Sequence, residues 1–176
     1  MKLERGYIHL YTGDGKGKTT AALGQALRAL GHGFTVRVIQ FMKGNIEYGE
    51  LEMSRRLSPQ FILKQMGRET FVSKEDPDPI DVKMAEEALT LAKQWCQDPA
   101  IDLLILDEIN VALDFKLITL ESVFLLLDSK PKQLELILTG RYAPQKLIDR
   151  ADLVTEMREV KHYYRQGIQS RVGIER

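Results

Sequence analysis

Residues 7–33 read YIHLYTGDGKGKTTAALGQALRALGHG, and this stretch decides the fold. The apolar and aromatic run at 7–11 predicts a short strand. From Lys18 to Leu30 the residues Ala21, Ala22, Leu23, Ala26, Leu27 and Leu30 recur at helical spacing, and Gly31 and Gly33 close the helix. Between the two, Gly13 to Thr20 is a glycine-rich turn. A loop that holds phosphate needs successive backbone N–H groups pointing into one concavity. It therefore needs glycine where a side chain would intrude, and a helix N-terminus beneath it to add partial positive charge. Gly13, Gly15 and Gly17 answer the first need and the following helix answers the second. Lys18 is then placed to reach the outer phosphates as a point charge, Thr19 to offer its hydroxyl to Mg²⁺, and Lys16 to add a second cation at the rim. The strict pattern G-x-x-x-x-G-K-[ST] is missed at one position, where Thr12 replaces the first Gly.

Outward from this loop the chain alternates apolar strands with helical stretches. Strands are predicted at 34–41 (FTVRVIQF), 60–65 (QFILKQ), 101–106 (IDLLIL), 134–138 (LELIL) and 151–160 (ADLVTEMREV). Helices are predicted around 50–57, over Asp81–Trp95, and from Ala143 and Pro144 to about 149. The polar stretch 42–50 (MKGNIEYGE) and the longer 66–80 (MGRETFVSKEDPDPI) read as loops, the second of a length usually reserved for function. Alternating strands and helices imply βαβ units: an α/β, P-loop NTPase-like three-layer fold with a mostly parallel central sheet, residues 1–176 forming one domain.

At 176 residues, 44% of them apolar and 28% charged, the chain can bury a full core without disulfides. Its formal net charge of zero argues against a nucleic-acid partner. One cysteine, Cys96, sits in a helical stretch as a small core residue, and no run is long and apolar enough to suggest a membrane span. A cytoplasmic protein is expected. His9, His32 and His162 have no metal-ligand spacing.

Asp107 and Glu108 follow the apolar LLIL run, at the carboxyl end of a strand, where open α/β sheets place their ligands. In a Walker B reading one carboxylate binds Mg²⁺ directly or through water, and the other supports the metal shell or acts as a base. Thr139, Gly140 and Arg141 end the next strand on the same edge, with Arg141 set to meet phosphate or ribose. No protein nucleophile can be assembled from the sequence, so the group that attacks the nucleotide is water or a second substrate. These motifs alone permit a P-loop ATPase, a small-molecule kinase, another transferase or a nucleotide-dependent regulator.

The segments TGDGKGKTTAALGQALRALGHG, VIQFMKG, YGE, GRETF, LLILDEINVAL, ILTGRYAP and ADLVTEMREVKHYYRQGIQSRVGIE together resemble the ATP:corrinoid adenosyltransferases of the CobA/CobO/BtuR type. The resemblance runs nearly end to end, and the VIQFMKG segment and the TEMREVKH…GIE tail are close to family-specific. It implies transfer of the 5′-deoxyadenosyl group of ATP to the Co(I) of a reduced corrinoid, with Mg²⁺ required and triphosphate released. It further implies a homodimer, a reduced flavoprotein as electron donor, and a nucleotide that lies in the loop reversed relative to kinases. On the motif match Gly13, Asp14, Gly15, Lys16, Gly17, Lys18, Thr19 and Thr20 bind ATP, and Thr19 with Glu108 hold Mg²⁺. Members often carry an aromatic pair, F-x-W, that replaces the lower axial ligand of cobalt; Phe71, in GRETFV, is the aromatic evident here.

Overall fold

The computed structural model describes residues 2–44 and 48–175. The middle of the polar loop expected at 42–50, residues 45–47, lies outside them. Six strands form one sheet: β1 (Ile8–Thr12), β2 (Val36–Phe41), β3 (Phe61–Met66), β4 (Leu103–Asp107), β5 (Glu135–Thr139) and β6 (Leu153–Glu156). Their order is β3-β2-β4-β5-β1-β6, and every neighbouring pair is parallel.

Helices cover both faces. On one, α1 (Lys18–Gly31) packs over β4 and β5, and α2 (Gly49–Arg56) over β3. The buried stripe of α1 is Lys18, Ala22, Ala26 and Ala29, and the three alanines are small side chains at helical spacing that let the helix lie close to the sheet. On the other face α3 (Pro79–Gln97) buries Ala85, Ala88, Leu89, Ala92 and Cys96 against the strands and against α5 (Leu120–Asp128). Burial pushes the Cys96 thiol up to about 11, as suits an inert core residue. With β4 buried along its whole length, its unbroken apolar run is the pattern of a central parallel strand. No helix among the described residues is long and apolar enough to cross a membrane.

Several boundaries differ from the sequence expectation, each for a local reason. Helix α3 starts at Pro79 rather than Asp81, because Asp78 caps it by accepting from the Ile80 N–H and Pro79 fits the first turn. Two short helices, α4 (Ile109–Asp114) and α5, fill the stretch after Asp107 for which the sequence reading names no element. The helix expected at 143–149 shortens to α6 (Gln145–Ile148), with Pro144 as its cap. Strand β6 stops at Glu156 instead of running to 160, because Met157 leaves the ladder to cross the glycine-rich loop.

A candidate nucleotide site with an adjoining apolar cavity

The parallel sheet delivers the carboxyl ends of β1, β2, β4 and β5 to one edge. Backbone strain collects there: Met42, Glu108 and Tyr142, each just beyond a strand end, hold positive φ of 59°, 64° and 61°. Non-glycine residues adopt this conformation at a cost, and its clustering is characteristic of ligand sites.

The loop after β1 takes its shape partly from the chain's own C-terminal segment. Met157 donates its N–H to the Thr12 carbonyl at 2.8 Å and accepts from the Gly15 N–H at 2.6 Å. A Cβ on Gly13 would stand 2.5 Å from the Met157 oxygen, and φ there is +93°. Glycine at this position is thus required by the crossing segment after β6 as well as by any phosphate.

Lys18 is buried, and its ammonium donates to the carbonyls of Gly13 and Gly15, both at 2.7 Å. Burial lowers its pKa, while the charges of Glu108, Asp14 and Asp107 pull the other way. Thr19 donates its hydroxyl to Asp107 Oδ1 at 2.8 Å.

The two acidic residues at the end of β4 occupy different environments. Asp107 is 1% exposed, and its carboxylate accepts four side-chain donors. Thr19 and Thr139 reach Oδ1, at 2.8 and 2.7 Å; Gln40 and Lys43 reach Oδ2, at 3.1 and 2.8 Å. Strand register explains two of these partners: Gln40 on β2 lies opposite Asp107, and Thr139 ends β5 beside β4. For Lys43 burial alone would lower the pKa, but the Asp107 charge and hydrogen bond, with Glu108 and Glu50 behind them, outweigh it and raise the value. Glu108 instead has its backbone N–H tied to the Thr139 hydroxyl at 3.0 Å, and its carboxylate has no hydrogen-bond partner among the described residues. Burial and the neighbouring Asp107 charge raise its pKa.

A cavity of about 800 Å³ opens over this edge, lined by Gly15, Lys16, Gly17, Lys18, Thr19, Thr20, Glu108 and Arg141 among the residues expected from sequence. Gly13 and Asp14 do not line it, and Asp14 lines a neighbouring cavity that shares Arg141. There Arg141 donates to the Asp14 carbonyl at 3.1 Å. Asp107 lies beneath the floor rather than in it. Phe71 is not in this cavity. It lines a second one of about 420 Å³, with Phe41, Met42 and Val72, and its ring is fully exposed. The two cavities share Lys43, Tyr48, Glu108, Val111 and Phe115 as a common wall.

Sequence reasoning gave no role to Gln40, Lys43 or Thr139. A lone glutamine closing the apolar run FTVRVIQF was the available signal for the first. It gave no site role to His162 or to the stretch Gly173–Glu175 of the family-specific tail, which fold back onto the larger cavity. The Glu175 carboxylate accepts from Arg171 and from the Tyr163 hydroxyl, and these bonds hold its pKa down at about 2. No short-range pattern announces such a return. His9, by contrast, pairs with Glu135 at 2.7 Å on the sheet, away from the site.

Comparison with known proteins places this geometry among relatives. The family model described as "ATP:corrinoid adenosyltransferase BtuR/CobO/CobP" matches residues 4–176. A corrinoid adenosyltransferase of Pseudomonas aeruginosa is 38% identical over 172 residues, covering 98% of this chain and 84% of that protein. Similar proteins are the corrinoid adenosyltransferase of Escherichia coli K12, 37% identical, and the corrinoid adenosyltransferase CobA of Salmonella typhimurium, 36% identical; each match covers 98% of this chain and 86% of the relative. Among solved structures the RadB recombinase superposes with a TM-score of 0.56 at 16% identity, over 91% of this chain and 78% of that one, a likeness of fold alone.

Proposed function

Since the chain belongs to the ATP:corrinoid adenosyltransferase family, we propose that it transfers the 5′-deoxyadenosyl group of ATP to the Co(I) of a reduced corrinoid. The observation that carries this reading is the pair of cavities meeting at one wall, the larger floored by the phosphate-binding loop and the smaller lined mainly by apolar and aromatic side chains, with Lys43, Arg68, Glu69, Thr70 and Glu108 among them. An ATPase needs only the first, and a small-molecule kinase needs a second site that hydrogen-bonds a polar phosphate acceptor. Two substrates that must exchange a carbon need both, side by side.

Co(I) is the nucleophile. It supplies both electrons of the new Co–C bond and becomes formally Co(III), while the electron pair of the broken C5′–O bond leaves with the triphosphate. No protein base is called for. The work left to the chain is to hold the nucleotide, stabilise the departing charge and exclude water. Lys18, Lys16 and the N–H groups of the loop serve the triphosphate, with Thr20 and Arg141 on the cavity wall. Thr19 and Glu108 would hold Mg²⁺, which neutralises charge on the leaving group when bound. The fit of these residues rests on the half-buried Glu108 carboxylate, which has no hydrogen-bond partner among the described residues and whose raised pKa a cation would relieve. Asp107, with four donors already on its two oxygens, acts by orienting the Thr19 hydroxyl. In this reading residues 1–176 act as one domain, the working form is a cytoplasmic homodimer, and a reduced flavoprotein supplies electrons to the corrinoid.

The test is direct. Purified protein, MgATP and chemically reduced Co(I) corrinoid should yield a light-sensitive alkylcorrinoid, followed by its absorbance; absence of a Co–C bond under these conditions contradicts the proposal.

Phe71 is assigned to the corrinoid side. A bulky apolar side chain beneath cobalt displaces the lower axial ligand and keeps water from replacing it, which makes Co(II) easier to reduce. The fully exposed ring anchors no core, so Phe71→Ala should leave thermal stability and ATP affinity nearly unchanged. Conversion starting from Co(II) should slow on the order of tenfold, and conversion from prereduced Co(I) far less. Equal losses in both assays, with lower stability, would assign Phe71 to loop anchoring instead.

A further inference from the structure

The loop between β3 and α3, residues 67–78, is fastened at two points that nucleotide binding does not explain. At its root the Arg68 guanidinium forks onto Asp81, Nε donating to Oδ1 at 2.7 Å and a terminal nitrogen to Oδ2, with another bond to Asp78 at 3.2 Å. Farther along, Lys74 Nζ stands 2.6 Å from Asp114 Oδ2, at the end of α4. The same ammonium lies 5.5 Å from the centre of the Tyr142 ring and 5.9 Å from that of Phe115. Phe71 sits between the two fastenings with nothing of its own to hold it.

The second fastening joins different parts of the site. Phe115 belongs to the wall common to both cavities, and Tyr142 lines the larger one. An exposed Lys–Asp pair alone contributes little, because water screens it and two long side chains must be ordered. One ammonium shared by a carboxylate and two ring faces is better determined, since each ring adds an attraction that fixes its position.

We propose that Lys74 is a positioning residue that latches the Phe71 loop to the wall of the nucleotide cavity, so that filling this cavity steadies Phe71 on the corrinoid side. The physical step is a shift of population. A nucleotide packed against Tyr142 and Phe115 restricts the two rings, the latch gains fixed partners, and the loop spends more time closed. Coupling of this kind is reciprocal, so the latched loop also favours the nucleotide. The role given to Phe71 rests on the adenosyl-transfer reading; the latch itself does not.

Chymotrypsin cleavage of the full chain after Phe71, mapped by mass spectrometry, reads the latch without any corrinoid. Saturating MgATP should slow that cleavage about fivefold in the natural protein. Lys74→Met, which keeps the stem and removes the charge, should cleave faster and lose the protection. Lys74→Arg should restore it, because it keeps both the charge and the ring contacts. In turnover, Lys74→Met should raise the KM for the corrinoid roughly three- to tenfold with kcat from prereduced Co(I) unchanged. Equal cleavage and equal ATP protection in Lys74→Met and the natural protein would overturn the latch. If the natural protein forms no Co–C bond, the reading of function fails, and the cleavage result still decides the latch.

Discussion

Lys18→Ala should lose on the order of 100-fold in the rate of adenosyl transfer, about 3 kcal/mol of stabilisation of the departing triphosphate, and still fold normally. The fold should be spared because Ala22, Ala26 and Ala29, which seat α1 on the sheet, remain. The Lys18 ammonium is held by the Gly13 and Gly15 carbonyls, and in the variant water entering from the cavity that Lys18 lines can donate to them instead. Its lowered pKa carries the same message, since a lysine whose charged form is disfavoured in the folded state makes that state less stable at neutral pH. Thermal stability without nucleotide should therefore be unchanged or slightly higher. The increase in Tm on adding MgATP should shrink, because that increase measures binding. A variant with near-natural turnover would remove the phosphate-binding role from the loop.

Glu108→Gln and Asp107→Asn should separate cleanly, with opposite effects on stability. Asp107 gathers four donors, one of them a charged lysine, in a site closed to water. An asparagine there turns one acceptor into a donor facing Gln40 and Lys43 and leaves the Lys43 charge without its partner. The cost of breaking a buried pair in this way is about 3 kcal/mol, roughly 10 °C in Tm for a domain of this size. Glu108 works in the other direction. Its folded pKa is raised, so its ionised form opposes folding, and stability falls as pH rises from the ordinary carboxylate range through the raised value. Glu108→Gln should then be as stable as the natural protein or more so at neutral pH without ligands. It should need at least about tenfold more Mg²⁺ for half-maximal activity. Titrating activity against Mg²⁺ in both variants decides the assignment, and a larger Mg²⁺ shift in a well-folded Asp107→Asn would give the metal to Asp107.

Much of this architecture was legible because its causes are local. A strand, a glycine-rich turn and an alanine-striped helix announce themselves within residues 7–33, and a fully apolar run before two acids marks a buried parallel strand. The start of α3 was also legible, in Asp78 followed by Pro79, although hydrophobic period alone places it two residues late. What was not legible comes from contacts between distant segments. Asp107 and Glu108 are adjacent in sequence and look interchangeable; only the arrival of Gln40 and Thr139 from neighbouring strands, and of Lys43 from just beyond β2, saturates one and leaves the other facing the cavity. The requirement for glycine at position 13 reads as a matter of phosphate geometry until Met157 is seen to cross above it. Family resemblance drew attention to the C-terminal tail, yet its place along the nucleotide cavity follows from how the chain returns after β6.

The central claim is that ATP is cleaved at the 5′-carbon rather than between phosphates, and the identity of the product tests this most directly. With MgATP and reduced corrinoid, the released phosphorus compound should be inorganic triphosphate in one-to-one yield with alkylcorrinoid, resolved by phosphorus NMR or anion-exchange chromatography. Release of ADP and phosphate, with the corrinoid unchanged, would contradict the account and return the chain to the ordinary P-loop ATPases and kinases.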